Sequence, residues 1–156
     1  LWLLKYHHQR PIAHELGGLL ADAPLPELEE RVRFEHFVDP IIIPVPVSKR
    51  GLRKRGYNQV TLIAQGFLDH AQVNFPLYED VLLKSRETKK QARNKKRKER
   101  FTNIEGSFTL ARPERITGRN VILLDDGTTT GATLDEATRV LMHAKPRKIL
   151  RVALAH

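Results

Sequence analysis

Val121-Ile122-Leu123-Leu124-Asp125-Asp126-Gly127-Thr128-Thr129-Thr130-Gly131-Ala132-Thr133-Leu134 runs from four apolar residues through two adjacent acids into small hydroxyl and glycine residues. Val121 to Leu124 is too short for a helix and rich in branched side chains, so it reads as a buried, parallel strand ending at Asp125. The acids then stand at the carboxyl end of that strand. From Thr128 to Thr133 the small side chains let a turning backbone approach an anion, and the amphipathic segment that follows aims its amino terminus at the same anion. The stretch reads as a cradle for a phosphate and a ribose.

A second strand, turn and helix lies upstream. Ile41-Ile42-Ile43 makes a central strand, and Pro44 and Pro46, which lack N–H donors, must lie at or beyond its end. The strand therefore delivers the basic turn Ser48-Lys49-Arg50-Gly51 to the carboxyl edge of the sheet. Gln59 to Ala71 carries a helical apolar stripe of Val60, Ile63, Ala64, Phe67, Leu68 and Ala71, with Asn58 as its cap. Val81 to Leu83 is a further short strand, Leu134 to Ala144 a packed helix stopped by Lys145-Pro146-Arg147, and Ile149 to Ala155 the last strand. Pro11 to Ala21 reads as a short helix with Ile12, Leu16, Leu19 and Leu20 as its stripe, although Gly17-Gly18 counts against it. Together these segments predict a doubly wound α/β fold: a central, mostly parallel sheet with helices on both faces, binding ligands outside the carboxyl ends of its strands.

At 156 residues and 40% hydrophobic, the chain is the size of one domain with a genuine core. The expected organisation is a single domain over residues 1–156, with an amino-terminal helical hood segment over 1–38 and a core over 39–156. No apolar run reaches a membrane span and no signal-peptide pattern is present, so no membrane insertion and a cytoplasmic location are expected. The sequence opens at Leu1 without a methionine, which suggests residues before it. With no cysteine, disulfides, thiolate catalysis and cysteine-based zinc sites are excluded. His7, His8 and His14 have neither the spacing nor the carboxylate company of a metal site.

Charge is unevenly distributed. Lys49 to Tyr57 carries +5 and Lys84 to Arg100 carries +8, which leaves the rest of the chain at −4 within a total of +9. An acidic body with two cationic segments fits a polyanion site, and solvated lysine-rich loops are the plain alternative. Residues 84–100, with almost no apolar side chain, read as a flexible basic loop or a solvated helix.

The central stretch resembles the 5-phosphoribosyl-1-pyrophosphate (PRPP) motif of type I phosphoribosyltransferases. Pro44-Val45-Pro46, then Arg55-Gly56-Tyr57-Asn58-Gln59, then Arg86, Thr88, Gln91, Arg100, Asn103, Gly106 and Phe108 narrow the likeness to the ComF family (ComFC/GntX-like). The three elements in this order span about Pro40 to His156. The resemblance implies a type I phosphoribosyltransferase-like fold. It further implies that Asp125 and Asp126 accept hydrogen bonds from the ribose hydroxyls, and that Gly127, Thr128, Thr129, Thr130, Gly131, Ala132 and Thr133 hold the 5-phosphate. Ser48, Lys49 and Arg50 would line the pyrophosphate turn, with Arg86, Lys89, Gln91 and Arg100 in a loop that closes over the leaving group. The implied catalytic set is Asp125, Asp126, Arg86, Lys89 and Arg100, acting on PRPP with a Mg²⁺ that arrives bound to PRPP and has no direct protein ligand. Two acids at a strand end also serve as salt-bridge partners or caps, and a threonine turn also caps the next helix; capping and phosphate binding use the same groups and coexist.

Four departures from the family pattern stand out. The cysteine-rich zinc module that relatives often carry before this domain is lacking, whether by truncation or by nature. Thr129 occupies the place of the aspartate base of purine-salvage enzymes, and no other residue declares itself an acceptor base. Gly127 stands where a branched apolar residue is more usual. The loop holds more lysine than leaving-group stabilisation requires. That excess supports an alternative, a competence or DNA-uptake factor in which Arg53, Lys54, Arg55, Lys95, Lys96, Arg97 and Lys98 grip single-stranded DNA beside competence-machinery proteins, with PRPP as ligand or regulator. Stacking aromatics are sparse there, with Tyr57 and Phe101 nearby. A homo-oligomer is left open.

Overall fold

The computed structural model describes residues 10–22, 37–85, 106–127 and 130–154. In chain order these form α1 (Arg10–Asp22), β1 (Ile41–Pro44), α2 (Lys49–Arg55), α3 (Gln59–Ala71), β2 (Leu82–Lys84), β3 (Phe108–Leu110), a 3₁₀ turn at Pro113–Arg115, β4 (Asn120–Asp125), α4 (Ala132–Met142) and β5 (Lys148–Ala153). β4 lies in the middle of a three-stranded parallel sheet ordered β1-β4-β5, with Ile41 beside Val121 and Val121 beside Ile149. Ile42 also donates its N–H to the Pro76 carbonyl (2.8 Å) and accepts from the Tyr78 N–H (2.9 Å), so β1 is bonded on both sides.

Period-two alternation sends these short apolar strands into two cores. Ile41, Ile43, Val121 and Leu123 face α4, where they meet Leu134, Ala137, Val140 and Leu141. Ile42, Ile122, Leu124 and Leu150 face the other way, onto Val60, Ile63 and Ala64 of α3 and Ala13 and Leu20 of α1. A sheet covered on both faces explains why its strands read as unbroken apolar runs. The expected doubly wound α/β architecture is the one observed.

Four local expectations change. β2 pairs antiparallel with β3 in a separate two-stranded sheet, with Leu82 beside Leu110. The basic turn continues as α2: Ser48 caps it by accepting from the Gly51 N–H (3.1 Å), and Gly56 ends it in the left-handed region at φ 79°. Leucine, lysine and arginine are good helix formers, and a cap at each end makes a seven-residue helix although none of its residues is buried. Gly17 does not weaken α1. It lets α1 cross α3 at backbone contact, for a Cβ there would overlap the Ile63 carbonyl oxygen, and one at Gly66 would overlap the His14 carbonyl oxygen. Leu19, placed on the apolar stripe by periodicity, is instead 64% exposed.

Candidate functional site

The two acids stand where β4 leaves the sheet. Asp125 is buried and Asp126 half-buried, and the Asp126 N–H donates to the Asp125 carboxylate at 2.9 Å. Beside them the end of β1 is continued by the Val45 N–H, which donates to the Leu124 carbonyl (2.8 Å). Asn58 then joins strand end to helix start: its side-chain N–H donates to the Val45 carbonyl (3.2 Å) while its oxygen accepts from the Val60 N–H (3.1 Å). That double bond to two elements fixes the first turn of α3 against the acids.

Gln59, the first residue of α3, is 2% exposed and packs into this junction. Its Nε2 donates to Asp126 Oδ2, and its Oε1 accepts from Arg55 Nη1 at 2.7 Å. A guanidinium can only donate and a carboxylate can only accept, so the amide has a single satisfactory orientation between them. Arg55 is turned inward to make this contact, and its Nε is buried without a hydrogen-bond partner among the described residues. The strands and caps here are plain in the sequence. Gln59 carried no role there, although its place in the Arg55-to-Gln59 motif, as a polar residue opening an otherwise apolar helix face, was its one signal.

Burial raises the Asp125 carboxyl from its ordinary value of 3.8 to about 7. The neighbouring Asp126 charge and a side-chain hydrogen bond with Asp126 add to the rise, while the Asp126 N–H and the Lys84 ammonium oppose it. Asp125 thus holds its proton up to near neutrality. Such a pair of acceptors is suited to a ligand that brings two hydroxyl donors, because those donors replace the lost water and favour the ionised form.

Past the acids, Gly131 opens α4 in the left-handed region at φ 74°, its carbonyl accepting from the Asp135 N–H (2.9 Å). Thr130 is exposed, with its hydroxyl 3.5 Å from the Ala132 N–H, and Gly127, Gly131, Ala132 and Thr133 are half-buried around the turn. Thr128 and Thr129 lie outside the described residues. Ser48, half-exposed, and the exposed Lys49 and Arg50 begin α2, while Arg53 and Lys54 are exposed further along it. Arg55 therefore differs from the other cations grouped with it. Arg86, Lys89, Gln91, Lys95, Lys96, Arg97, Lys98 and Arg100 lie outside the described residues, as do Thr88, Phe101, Asn103, His7 and His8. The residues flanking that segment are well tied. The Ser85 N–H donates to the Ser107 carbonyl (2.8 Å), and buried Glu136 of α4 accepts from the Gly106 N–H (2.7 Å). The Arg139 guanidinium, which donates twice to Glu136 (2.7 and 2.9 Å), is the main reason that carboxyl is held below its usual range.

Among the described residues no group of three or more histidines, cysteines or acids is placed to hold a metal ion. None of their helices is long and apolar enough to cross a membrane.

Comparison with known proteins places this geometry in context. No family model matches the chain. It is 34% identical over 101 residues to competence protein F of Haemophilus influenzae, covering 64% of this chain and 43% of that protein. It is 37% identical over 108 residues to competence protein ComFC of Bacillus subtilis, covering 69% of this chain and 39% of that protein. The chain thus spans about two fifths of the curated relatives it matches. In fold it is similar to an allosteric regulatory enzyme of purine biosynthesis (TM-score 0.57, 16% identity, 94% of this chain and 26% of that one). The glutamine PRPP amidotransferase of B. subtilis matches it likewise (TM-score 0.55, 16% identity, with the same coverages).

Proposed function

Since the chain belongs with the ComF competence proteins and has a type I phosphoribosyltransferase fold, we propose that it binds PRPP and transfers the phosphoribosyl group to a nitrogen acceptor, releasing pyrophosphate. The observation that carries this reading is the acid pair at the end of β4, buried Asp125 followed by Gln59-held Asp126, directly ahead of the glycine and threonine turn that opens α4.

In the proposed reaction the acceptor nitrogen's lone pair forms a bond to C1 of the ribose while the C1–O bond to pyrophosphate breaks and its electron pair leaves with the pyrophosphate. The nitrogen then loses its proton. Asp125 and Asp126 accept from the 2- and 3-hydroxyls, which holds C1 in place while charge grows on the ring. Gly127 to Thr133 offers hydroxyls and backbone N–H groups to the 5-phosphate. Lys49 and Arg50, with Arg86, Lys89 and Arg100, oppose the charge that builds on the leaving group. Mg²⁺ belongs to the substrate, arriving on the pyrophosphate oxygens, and needs no metal-binding cluster in the protein.

Calorimetric titration with PRPP and Mg²⁺ tests this reading. Wild type is expected to bind at least tenfold more tightly than Asp125→Asn/Asp126→Asn, the scale of two lost charge-assisted hydrogen bonds. Equal binding by the two proteins removes it. The acceptor is then found by screening amines, nitrogen bases and ammonia for pyrophosphate release.

A second reading rests on α2, whose Lys49, Arg50, Arg53 and Lys54 are exposed on a helix with no buried residue. Such a face suits a polyanion, and the relatives' competence names make single-stranded DNA, handled in the cytoplasm beside competence-machinery proteins, the polyanion to test.

A further inference from the structure

Arg55, Gln59 and Asp126 form one continuous hydrogen-bonded chain from the cationic helix α2, through the first turn of α3, to the acids at the end of β4. Gln59 shares almost no surface with solvent, and its side-chain amide donates to Asp126 of the acid pair. We propose that Gln59 is a positioning residue for PRPP: oriented by Arg55, it fixes the Asp126 carboxylate in the attitude that receives a ribose hydroxyl. This rests on the PRPP reading above and adds to it the group that aims the acid.

The physical case has three parts. A half-buried carboxylate at a strand end would otherwise rotate toward water, and above about pH 7, where Asp125 is charged as well, the two acids repel. The Gln59 amide donor opposes that rotation by occupying Oδ2, which commits one carboxylate oxygen and fixes the plane of the other. The amide itself cannot flip, because its oxygen is committed to the Arg55 guanidinium and a flipped amide would set NH₂ against NH₂ and oxygen against carboxylate. Arg55 is in turn held by its position in the last turn of α2, immediately before left-handed Gly56. Binding at the cationic helix and binding at the ribose are thereby mechanically joined. The charged groups that act on the acids from the packed elements are Arg55 through Gln59, and Lys84 of β2 directly.

Four variants separate the steps. Gln59→Leu removes both bonds, Gln59→Glu keeps the shape and the Arg55 bond but sets an acceptor against Asp126, Arg55→Met frees the amide, and the fourth combines Arg55→Met with Gln59→Leu. The first readout needs no ligand: ¹³C NMR titration of the Asp125 and Asp126 carboxyl carbons. Gln59→Leu and Gln59→Glu are expected to move the pair's titration upward, Glu the further, since each withdraws a donor from the ionised form. The second readout is PRPP affinity. Gln59→Leu is expected to weaken it about tenfold, Arg55→Met by less, and the double variant no more than Gln59→Leu alone, because the two act through one chain. Titration curves that superimpose on wild type overturn the proposal, as does a shifted titration with unchanged PRPP affinity. Wild type that fails to bind PRPP defeats the functional reading instead, and the ligand-free titration still decides whether Gln59 governs the acids. Thermal unfolding of Gln59→Glu, which retains the volume of the side chain, separates loss of fold from loss of aim.

Discussion

At the scale of single residues, the cost of the site is concentrated in Asp125. Its folded carboxyl keeps a proton up to about pH 7, whereas in the unfolded chain the proton leaves near 3.8. Between those values the folded state carries the extra proton, so the group's contribution to stability is present below about 3.8 and is lost as pH rises through about 7. Asp125→Asn removes the ionisation and is expected to stabilise the fold by about 1–2 kcal/mol at pH 8, with the gain shrinking toward pH 5. Urea unfolding at the two pH values measures it. A variant that is less stable at pH 8 than wild type would overturn this sign. Under the proposed function, the burial that disfavours the charge on Asp125 would be a stability cost accepted for a ligand-binding acceptor, as at ligand sites in many folds. If Asp125 receives a ribose hydroxyl as proposed, its ionised form is the better acceptor, and PRPP affinity should rise as pH rises through about 7.

At the scale of elements, the crossing of α1 and α3 depends on two glycines that face each other's backbones. Gly17→Ala and Gly66→Ala each place a methyl group on a carbonyl oxygen of the other helix, His14 for Gly66 and Ile63 for Gly17, and neither backbone can yield without parting the helices. Each is expected to cost about 2–3 kcal/mol, in the range of an overpacked core. Gly18→Ala meets the side chain of His70 at 3.4 Å and gains helix propensity, so it is expected to be neutral or stabilising by up to about 1 kcal/mol. Chemical denaturation of the three variants tests the contrast, and equal losses at positions 17 and 18 would dismiss the crossing argument. The difference also marks what could be read from the chain alone. α3 with its Asn58 cap, the apolar strands and their two-sided burial follow from local pattern, because periodicity and caps are properties of neighbouring residues. Gly17 has its reason 46 or more residues away, at Ile63 and Phe67, and Gln59 has its reason 67 residues away at Asp126. No window of sequence contains either pair. α2 is faint in the sequence for a different cause: with no apolar face to give it a period, only its caps, Ser48 and Gly56, mark its ends.

At the scale of the whole molecule, charge is separated from packing. The buried core is apolar on both faces of the sheet, Asp125 and Asp126 sit together at one strand end, and exposed cations gather on α2, within a chain of net charge +9. Two uses of those cations can be told apart because Arg55 faces inward while Arg53 and Lys54 face solvent. A single strand held by phosphate contacts loses affinity linearly in log salt, with a slope of about −0.7 per contact. If α2 grips the strand, Arg53→Gln/Lys54→Gln should make that slope shallower by about 1.4 and leave PRPP affinity within about twofold. Arg55→Met should do the reverse, weakening PRPP while the salt slope for DNA stays as in wild type. Fluorescence anisotropy with a labelled oligonucleotide from 50 to about 300 mM salt, run beside calorimetry with PRPP, gives both numbers for both proteins. A slope that Arg53→Gln/Lys54→Gln leaves unchanged assigns α2 to the substrate side alone. A slope that Arg55→Met alters as much as the exposed pair does would mean that the whole helix moves as one binding surface, and that the inward arginine is released when a polyanion arrives.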